Sequence, residues 1–296
     1  MLKQSTIGLA LGMSLAGAAL ACSPDGKDGF LPQNDLYIAA DAKNISGITQ
    51  EQFTAVIDKV EAIYAPIISN LGATLKIERK WSDGTVNAYA SQSGKTWNVA
   101  MFGGLARHQT ITEDGFALVV CHEIGHHIGG APKKGGSGWF GTAGWASNEG
   151  QADYFATLKC LRKSFLNDDN SAIVANLNAP QYLIDSCSEF ARGNESDKAI
   201  CIRTSMAGKS VANLFSVLSK LPDTKFDTPD SKVVMKTDDN HPKAQCRLDT
   251  YFQGSLCDIN MNEDVSQNDE VQGTCHPSLG HKTGTRPLCW FKPKSI

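Results

Sequence analysis

Apolar residues recur at helical spacing in several stretches of the chain and alternate with polar residues in a few shorter ones. The first stretch predicts a helix over about residues 50–69 behind a capping box of Thr49 and Gln52, which Pro66 is expected to kink or end early. Alternation predicts strands near 73–81, 86–90 and 96–102. Further helices are predicted after Thr112, from Asn148, over 181–192 and 197–221, and from Asn240 to about Phe252. Together these elements predict an α+β fold, with a small, mostly antiparallel sheet packed on helices and a helical second half.

The composition limits the class and the size of the domain that these elements can form. The chain has 296 residues, is 41% hydrophobic and 20% charged, and carries a formal net charge of −3. This suits one large globular domain, predicted over 36–253, and a small appendage. Residues 254–296 are rich in polar and turn-forming residues and predict an irregular C-terminal extension held by disulfides. Nothing in the charge balance indicates a nucleic-acid partner.

The N-terminus has the pattern of an export signal. Lys3 precedes an apolar run of small residues that ends in an A-x-A cleavage site, so 1–21 is predicted to be a signal peptide. Cys22 follows directly, as in a bacterial lipoprotein whose lipidated cysteine becomes the mature N-terminus. Residues 22–35 are then expected to be a flexible tether. The predicted location is the bacterial cell envelope, lipid-anchored and facing the periplasm; plain secretion after Ala21 is the alternative.

The cysteine count supports this location. Nine cysteines are present, and setting Cys22 aside leaves eight, which suits up to four disulfides in an oxidising compartment. No C-x₂-C pair occurs, so a zinc ribbon is not indicated. The expected pairs are Cys121–Cys160 and Cys187–Cys201, with the last four cysteines paired among themselves.

A metal-binding motif lies in the central helix. His122 and His126 belong to an H-E-x-x-H sequence, and in a helix they lie one turn apart on the same face. Two imidazoles at that spacing can bind one Zn²⁺, and Glu123 between them can act as the base for a water molecule on the metal. The sequence therefore predicts one Zn²⁺ per chain.

Catalytic zinc usually takes a third protein ligand. Glu149 is the best candidate, because it opens the next helix after a Gly-rich loop. Asp153, one turn later, can accept the remaining N–H of a zinc-bound imidazole. A carboxylate pair at this spacing is otherwise usual on a solvated helix face. His127 is expected to be a packed or surface histidine. The third histidine of the metzincin pattern is missing, since position 132 is proline.

The arrangement of these motifs resembles a known family. Asn148-Glu149-x-x-Ala152-Asp153 after H-E-x-x-H is similar to the gluzincin peptidases of the HtpX and CAAX prenyl protease group. Asn87-Ala88-Tyr89-Ala90 resembles that family's N-A-F segment, and His241-Pro242 with Arg247 resembles its H-P-x₄-R element. The resemblance covers about 50–252. This chain departs from the membrane members in having no spanning helix after its signal, and it has Tyr where they have Phe.

The resemblance implies a zincin-like fold in which His241 and Arg247 face the zinc from the opposite side of the cleft. There they would stabilise the oxyanion that forms when water attacks a peptide carbonyl. Without the resemblance, His241 would be interpreted as a capping residue and Arg247 as a surface charge.

The expected activity is zinc-dependent endopeptidase cleavage of unfolded or misassembled envelope proteins. The peptide is expected to bind antiparallel to one strand by backbone hydrogen bonds, which gives broad specificity. That strand is predicted to be the one formed by Asn98, Val99, Ala100, Met101, Phe102 and Gly103. The alternative is a zinc-containing chaperone or assembly factor for an envelope partner, with weak or latent proteolysis. A purely structural zinc site is a third possibility, against which the intact Glu123 argues.

Overall fold

The structure, a computed structural model, describes residues 19–20, 29–42, 47–135 and 143–294. Most of the predicted signal peptide and the predicted lipidation site Cys22 lie outside these residues. Lipidation therefore stays a prediction. Within the described ranges, no helix combines the length and the apolar character needed to cross a membrane.

The architecture is α+β, as predicted, with one small sheet. β3 and β4 form an antiparallel hairpin, and β2 pairs in parallel with the other side of β4 over its full length. The sheet is therefore mixed, and its longest pairing is parallel. The spatial order is β1-β3-β4-β2. The strands of this sheet are β1 (Ala19–Leu20), β2 (Thr74–Lys80), β3 (Ala88–Ser93) and β4 (Thr96–Phe102); a separate hairpin has β5 (Lys133–Gly135) and β6 (Ala143–Ser147).

Helices make up most of the rest. The predicted capping box of Thr49 and Gln52 is confirmed, and α1 continues through Pro66, which is exposed to solvent. The carbonyl left unpaired by this proline belongs to Ala62, which is also exposed, so water can satisfy it. The helices are α1 (Gln50–Asn70), α2 (Gly103–Arg107), α3 (Glu113–Ile128), α4 (Glu149–Phe155), α5 (Leu161–Phe165), α6 (Asn170–Val174), α7 (Gln181–Ala191), α8 (Glu195–Ser219) and α9 (Ala244–Ser255), with a π-helical segment Ala156–Cys160 between α4 and α5.

The centre of the fold is α3. Its predicted N-cap is confirmed, because the Thr112 side chain accepts a hydrogen bond from the Gly115 N–H. Every residue from Gly115 to Ile128 is buried, since α1, α4, α8 and the sheet surround the helix. A helix covered on all sides has no solvated face for polar residues, so the polar groups it carries need partners inside the protein.

Four disulfides form in the predicted pairing. Cys121–Cys160 joins α3 to the π-helical segment after α4, and Cys187–Cys201 joins α7 to α8. The last four cysteines pair among themselves as Cys246–Cys289 and Cys257–Cys275. The bond from Cys246 in α9 to Cys289 crosses the predicted domain boundary at 253/254.

The C-terminal extension packs directly on α4. Trp290 is fully buried with its ring against Gly150, and its indole N–H donates to Thr250 Oγ1 at 2.9 Å. Arg286 Nη1 donates to Gln151 Oε1 at 2.9 Å, and the Tyr154 hydroxyl donates to the Gly284 carbonyl at 2.5 Å. The extension thus fixes the helix on which Glu149 and Asp153 lie.

We predict that Gly150→Ala destabilises the protein. An added Cβ would overlap with the Trp290 ring, and overpacking of this kind costs about 1–3 kcal/mol of unfolding free energy. In a helix free of such a neighbour, the same change stabilises by roughly 1 kcal/mol. Chemical denaturation measures the free energy of unfolding. Whether Gly150→Ala lowers or raises it therefore tests the contact between Gly150 and Trp290. The control is a Trp290→Ala background, in which Gly150→Ala should lose its cost.

Candidate metal centre

Two histidines of α3 point to one spot. The ring centroids of His122 and His126 lie 4.7 Å apart. His122 Nδ1 lies 2.7 Å from Asp153 Oδ1, and His126 Nδ1 lies 2.8 Å from the Ser147 carbonyl oxygen. Because a carboxylate and a carbonyl only accept, both Nδ1 atoms carry the proton and donate it. Each Nε2 is left as the metal-binding atom.

Glu149 brings a carboxylate to the same spot. Asn148 caps α4 by accepting from the Gln151 N–H, and Glu149 is the first residue of that helix. Glu149 Oε2 lies 3.3 Å from His122 Nε2, and Glu149 Oε1 lies 3.7 Å from His126 Nε2. Ligands about 2.0–2.2 Å from a tetrahedral zinc lie about 3.3–3.6 Å from one another. The His122 contact falls within this range, and the His126 contact lies just outside it through the other carboxylate oxygen, so Glu149 lies beside both imidazoles at close to the spacing of zinc ligands.

Buried polar atoms without a hydrogen-bond partner give an independent test of whether these residues suit a metal ion. Among the described residues, four buried atoms here have no hydrogen-bond partner: His122 Nε2, both Glu123 oxygens and Glu149 Oε2. The donor atoms of His122, Glu123 and His126 also lie within 4.8 Å of one another. Buried polar atoms are rarely left without a partner, and a bound cation would satisfy these. The residues present thus fit a metal ion.

A lysine from the β5 strand approaches the same carboxylate. Lys134 Nζ lies 2.8 Å from Glu149 Oε1. Burial by itself would raise the pKa of Glu149, but the charges of His241 and Lys134 outweigh it, and this pKa lies well below its usual range. Burial lowers the pKa of His241, which weakens its part in this effect at neutral pH. Oε2 remains for a metal while Oε1 contacts Lys134.

The buried histidines of the site differ in their protonation. Burial opposes a charge on His122, but Asp153 outweighs it and raises the pKa of His122 to about 9. Burial lowers the pKa of His126 well below its usual value. Of these two histidines, His122 therefore takes up a second proton more readily. A metal ion would take the place of this proton.

Glu123 brings a buried carboxylate next to the two histidines. It is fully buried, and burial raises the pKa of Glu123 to about 8, with the charge of Glu149 adding to the effect and His122 opposing it. A carboxylate near neutral pKa can both take up and release a proton at physiological pH. A nearby metal cation would favour its ionised form.

Asp153 joins three helices at one oxygen atom. Its Oδ1 accepts from His122 Nδ1, from Arg247 Nη2 at 2.5 Å and from the Tyr251 hydroxyl at 2.8 Å. Arg247 also donates to the Phe30 carbonyl and to Tyr251 Oη, and is fully buried. The family resemblance implied that Arg247 faces the zinc across the cleft. The structure instead places Arg247 behind His122, because Asp153 and these two oxygen atoms occupy its three nitrogens.

His241 does lie beside the candidate ligands. Its Nε2 is 3.4 Å from Glu149 Oε2 and donates to the Gly29 carbonyl at 2.9 Å. The imidazole is thereby held at the rim of the site with its Nε2–H directed to the backbone. The structure therefore places His241 next to the candidate ligand Glu149, and its position relative to a zinc ion stays a prediction.

Phe30 is a residue of the site that sequence reasoning missed. The predicted flexible tether 22–35 included it, but its ring is fully buried, 4.8 Å from the His122 ring and 4.5 Å below the Arg247 guanidinium. The Phe30 N–H donates to the Ala88 carbonyl, and Leu31 exchanges hydrogen bonds with the Asn87 side chain. In the sequence, the only indication that this segment is buried was the apolar pair Phe30-Leu31 within a polar stretch.

The predicted substrate strand needs correction. β4, which contains Asn98 to Phe102, is paired on both sides, with β3 and with β2, and Gly103 already begins α2. A strand with both edges occupied has no free backbone groups for a peptide. The edge next to the candidate centre belongs to β3, because the sheet order leaves β3 beside the two-residue β1.

His127 is packed, as predicted. Its ring is stacked between Trp97 and Trp145, at centroid distances of 5.3 and 4.9 Å. Nε2 lies 3.2 Å from the Asn98 carbonyl oxygen, and Nδ1 lies 3.3 Å from Gln92 Nε2. Burial lowers the pKa of His127 to about 4, so it is neutral at physiological pH.

Comparison with known proteins assigns neither a family nor a function to this chain. No protein-family model, curated protein or solved structure matches this chain.

We predict that Asp153→Asn weakens zinc binding by about 10–100-fold, because an uncharged amide oxygen holds the His122 N–H more weakly than the carboxylate does. The free energy of unfolding should also fall by about 3–5 kcal/mol, since Arg247 is left buried without its counter-charge. Competition with a chelator of known affinity measures the first effect. Asp227→Asn, at an exposed carboxylate, is the control.

A folded Asp153→Asn protein with unchanged zinc affinity would show that Asp153 does not position His122. Tyr251→Phe removes one hydrogen bond to Asp153 and keeps all charges. It should change the affinity only a few-fold.

Proposed function

We propose that this protein is a zinc-dependent peptidase of the gluzincin type. The observation that carries the proposal is the convergence of His122, His126 and Glu149 on one buried spot beside a base-like Glu123, with unpartnered donor atoms aimed at it. A purely structural zinc site would have no use for a further buried carboxylate beside its ligands, whereas a base that acts on water needs one.

The proposed fold type is zincin-like. A mixed sheet lies against the helix bearing H-E-x-x-H, and the third ligand comes from the following helix α4. This arrangement supports the resemblance to the HtpX and CAAX prenyl protease group on the residues named above. The four disulfides favour an oxidising compartment, which agrees with the proposed location in the cell envelope. A lipid anchor at Cys22 would attach the protein to the membrane.

Each side chain has a proposed role. Zn²⁺ held by His122, His126 and Glu149 would supply Lewis-acid chemistry that acidifies water and polarises the scissile carbonyl. Glu123 takes a proton from the attacking water and passes it to the leaving amine. His241 lies at the rim, where its Nε2–H would have to leave the Gly29 carbonyl in order to stabilise a developing oxyanion. Arg247 acts through Asp153, by holding the carboxylate that orients His122.

The substrates we propose are unfolded protein segments. An extended peptide can pair with the outer edge of β3 through its backbone, which is independent of sequence. A folded protein does not present such a segment. Proteins that have lost their structure in the envelope are therefore the proposed substrate class.

We predict that Glu123→Gln retains one zinc per chain and cleaves a casein-like unfolded substrate at least about 100-fold more slowly. The amide has the shape of the carboxylate but cannot take the proton from water. Elemental analysis gives the zinc content, and peptide mapping of the substrate gives the rate.

The matched control is Glu113→Gln, because Glu113 lies on the same helix but at its exposed first turn. It should cleave at the rate of the unchanged protein. Cleavage by Glu123→Gln at the parent rate would refute the proposed mechanism.

A further inference from the structure

A large groove opens next to the candidate metal centre. It has a volume of about 960 Å³ and begins at Gln92, near the end of β3. One wall is the aromatic stack of Trp97, His127 and Trp145, and His127 directly follows the candidate ligand His126. The groove and the metal centre therefore lie on either side of the same turn of α3.

The groove is strongly cationic. Lys133, Lys236, Lys292 and Lys294 line it, against the single carboxylate of Glu270. That carboxylate is buried and already lies 3.9 Å from Lys294 Nζ. Lys133 Nζ contacts the neutral Gln267 Oε1 at 2.6 Å. A lining with four positive charges and one negative charge is complementary to an acidic ligand.

The fold also shows how a peptide can reach this groove. The backbone of Ala19–Leu20 pairs antiparallel with the outer edge of β3, with Ala19 opposite Gln92 and Leu20 opposite Ser91. This edge therefore accepts an extended strand, and the strand runs opposite to β3. The N-terminal end of such a strand points towards the groove.

The opposite end of β3 lies at the metal centre. The Ala88 carbonyl on this edge already accepts from the Phe30 N–H, and the Phe30 ring is in contact with His122. A peptide can therefore pair with β3 only from Ala90 towards Gln92, and it would continue past Phe30 to the metal unpaired. Four residues separate Ala88 from Gln92, which is roughly 13 Å along a strand. A peptide bound to this edge with its scissile bond at the metal thus places a residue about four positions upstream in the groove.

We propose that this groove is a subsite for acidic side chains of the substrate, about four residues N-terminal to the scissile bond. The inference rests on the proposed function and narrows its substrate class to unfolded segments that carry Asp or Glu at that distance. The aromatic wall contacts the apolar part of the side chain, and the lysine ammonium groups pair with the carboxylate.

The test compares peptides that differ in one residue. A cleavable neutral peptide is prepared with Gln, and then with Glu, at each of the six positions before the scissile bond. At about 20 mM salt, we expect kcat/KM to be roughly five- to tenfold higher for Glu about four positions upstream. The preference should shrink at 0.5 M salt, because exposed lysine charges are screened.

The variant that tests the lysines is Lys236→Gln/Lys292→Gln, at two exposed positions of the groove. We expect the Glu-to-Gln ratio of kcat/KM to fall towards one. The matched control is Lys220→Gln/Lys282→Gln, which removes the same charge at exposed positions outside the groove and should keep the ratio. Binding of fluorescein-labelled Glu and Gln peptides to the Glu123→Gln protein, measured by anisotropy, gives a readout that does not need cleavage.

Equal binding of the two peptides, or a Glu preference that survives in Lys236→Gln/Lys292→Gln, would overturn the subsite. Lysine-dependent binding of vesicles with anionic lipid, without a Glu preference among the peptides, would assign the charges to a membrane surface and overturn it as well. A lysine-dependent Glu preference in binding without any zinc-dependent cleavage would support the subsite and contradict the proposed function.

Discussion

The carboxylate of Asp153 is the contact on which the candidate site depends. It accepts from His122 on α3 and from Arg247 and Tyr251 on α9, while Asp153 itself belongs to α4. All four side chains are almost completely buried, so each charge is satisfied only while the three helices keep their relative positions. A buried charge pair adds little net stability compared with apolar packing, but loss of one partner is costly. The pair therefore selects one packing of the helices, and that packing orients His122.

Several parts of the chain that are distant in sequence support this arrangement. Phe30 covers His122 and Arg247 from the N-terminal side, and Trp290 packs on Gly150 from the C-terminal side. The Cys121–Cys160 disulfide joins α3 to the segment after α4, next to the histidine that Asp153 holds. A ligand set drawn from two helices needs such bracing, because displacements of a fraction of an ångström change the affinity for a metal. The extension after 254 is consequently part of the site's support.

Access to the site follows from the order of the strands. β4 is covered by neighbours on both edges, so β3 is the strand that can receive a peptide, and it extends from the metal centre to the cationic groove. Backbone pairing along β3 would supply affinity without regard to sequence, whereas the lysines would discriminate by charge. The proposed cleavage of unfolded protein and the proposed preference for acidic segments are thus compatible with each other.

The sequence by itself determined the local features of this protein. Helical periodicity, the caps at Thr49 and Thr112, and the spacing of His122 and His126 depend on neighbours within a few residues. The even number of cysteines beside Cys22 predicted up to four disulfides, whereas the particular pairs had no support beyond that parity. Only the tertiary structure decided that β4 is central, that Arg247 supports Asp153 from behind the site, and that Phe30 lies in the core. These features depend on contacts between residues that are tens to hundreds of positions apart, and such contacts leave no periodic pattern in a single sequence.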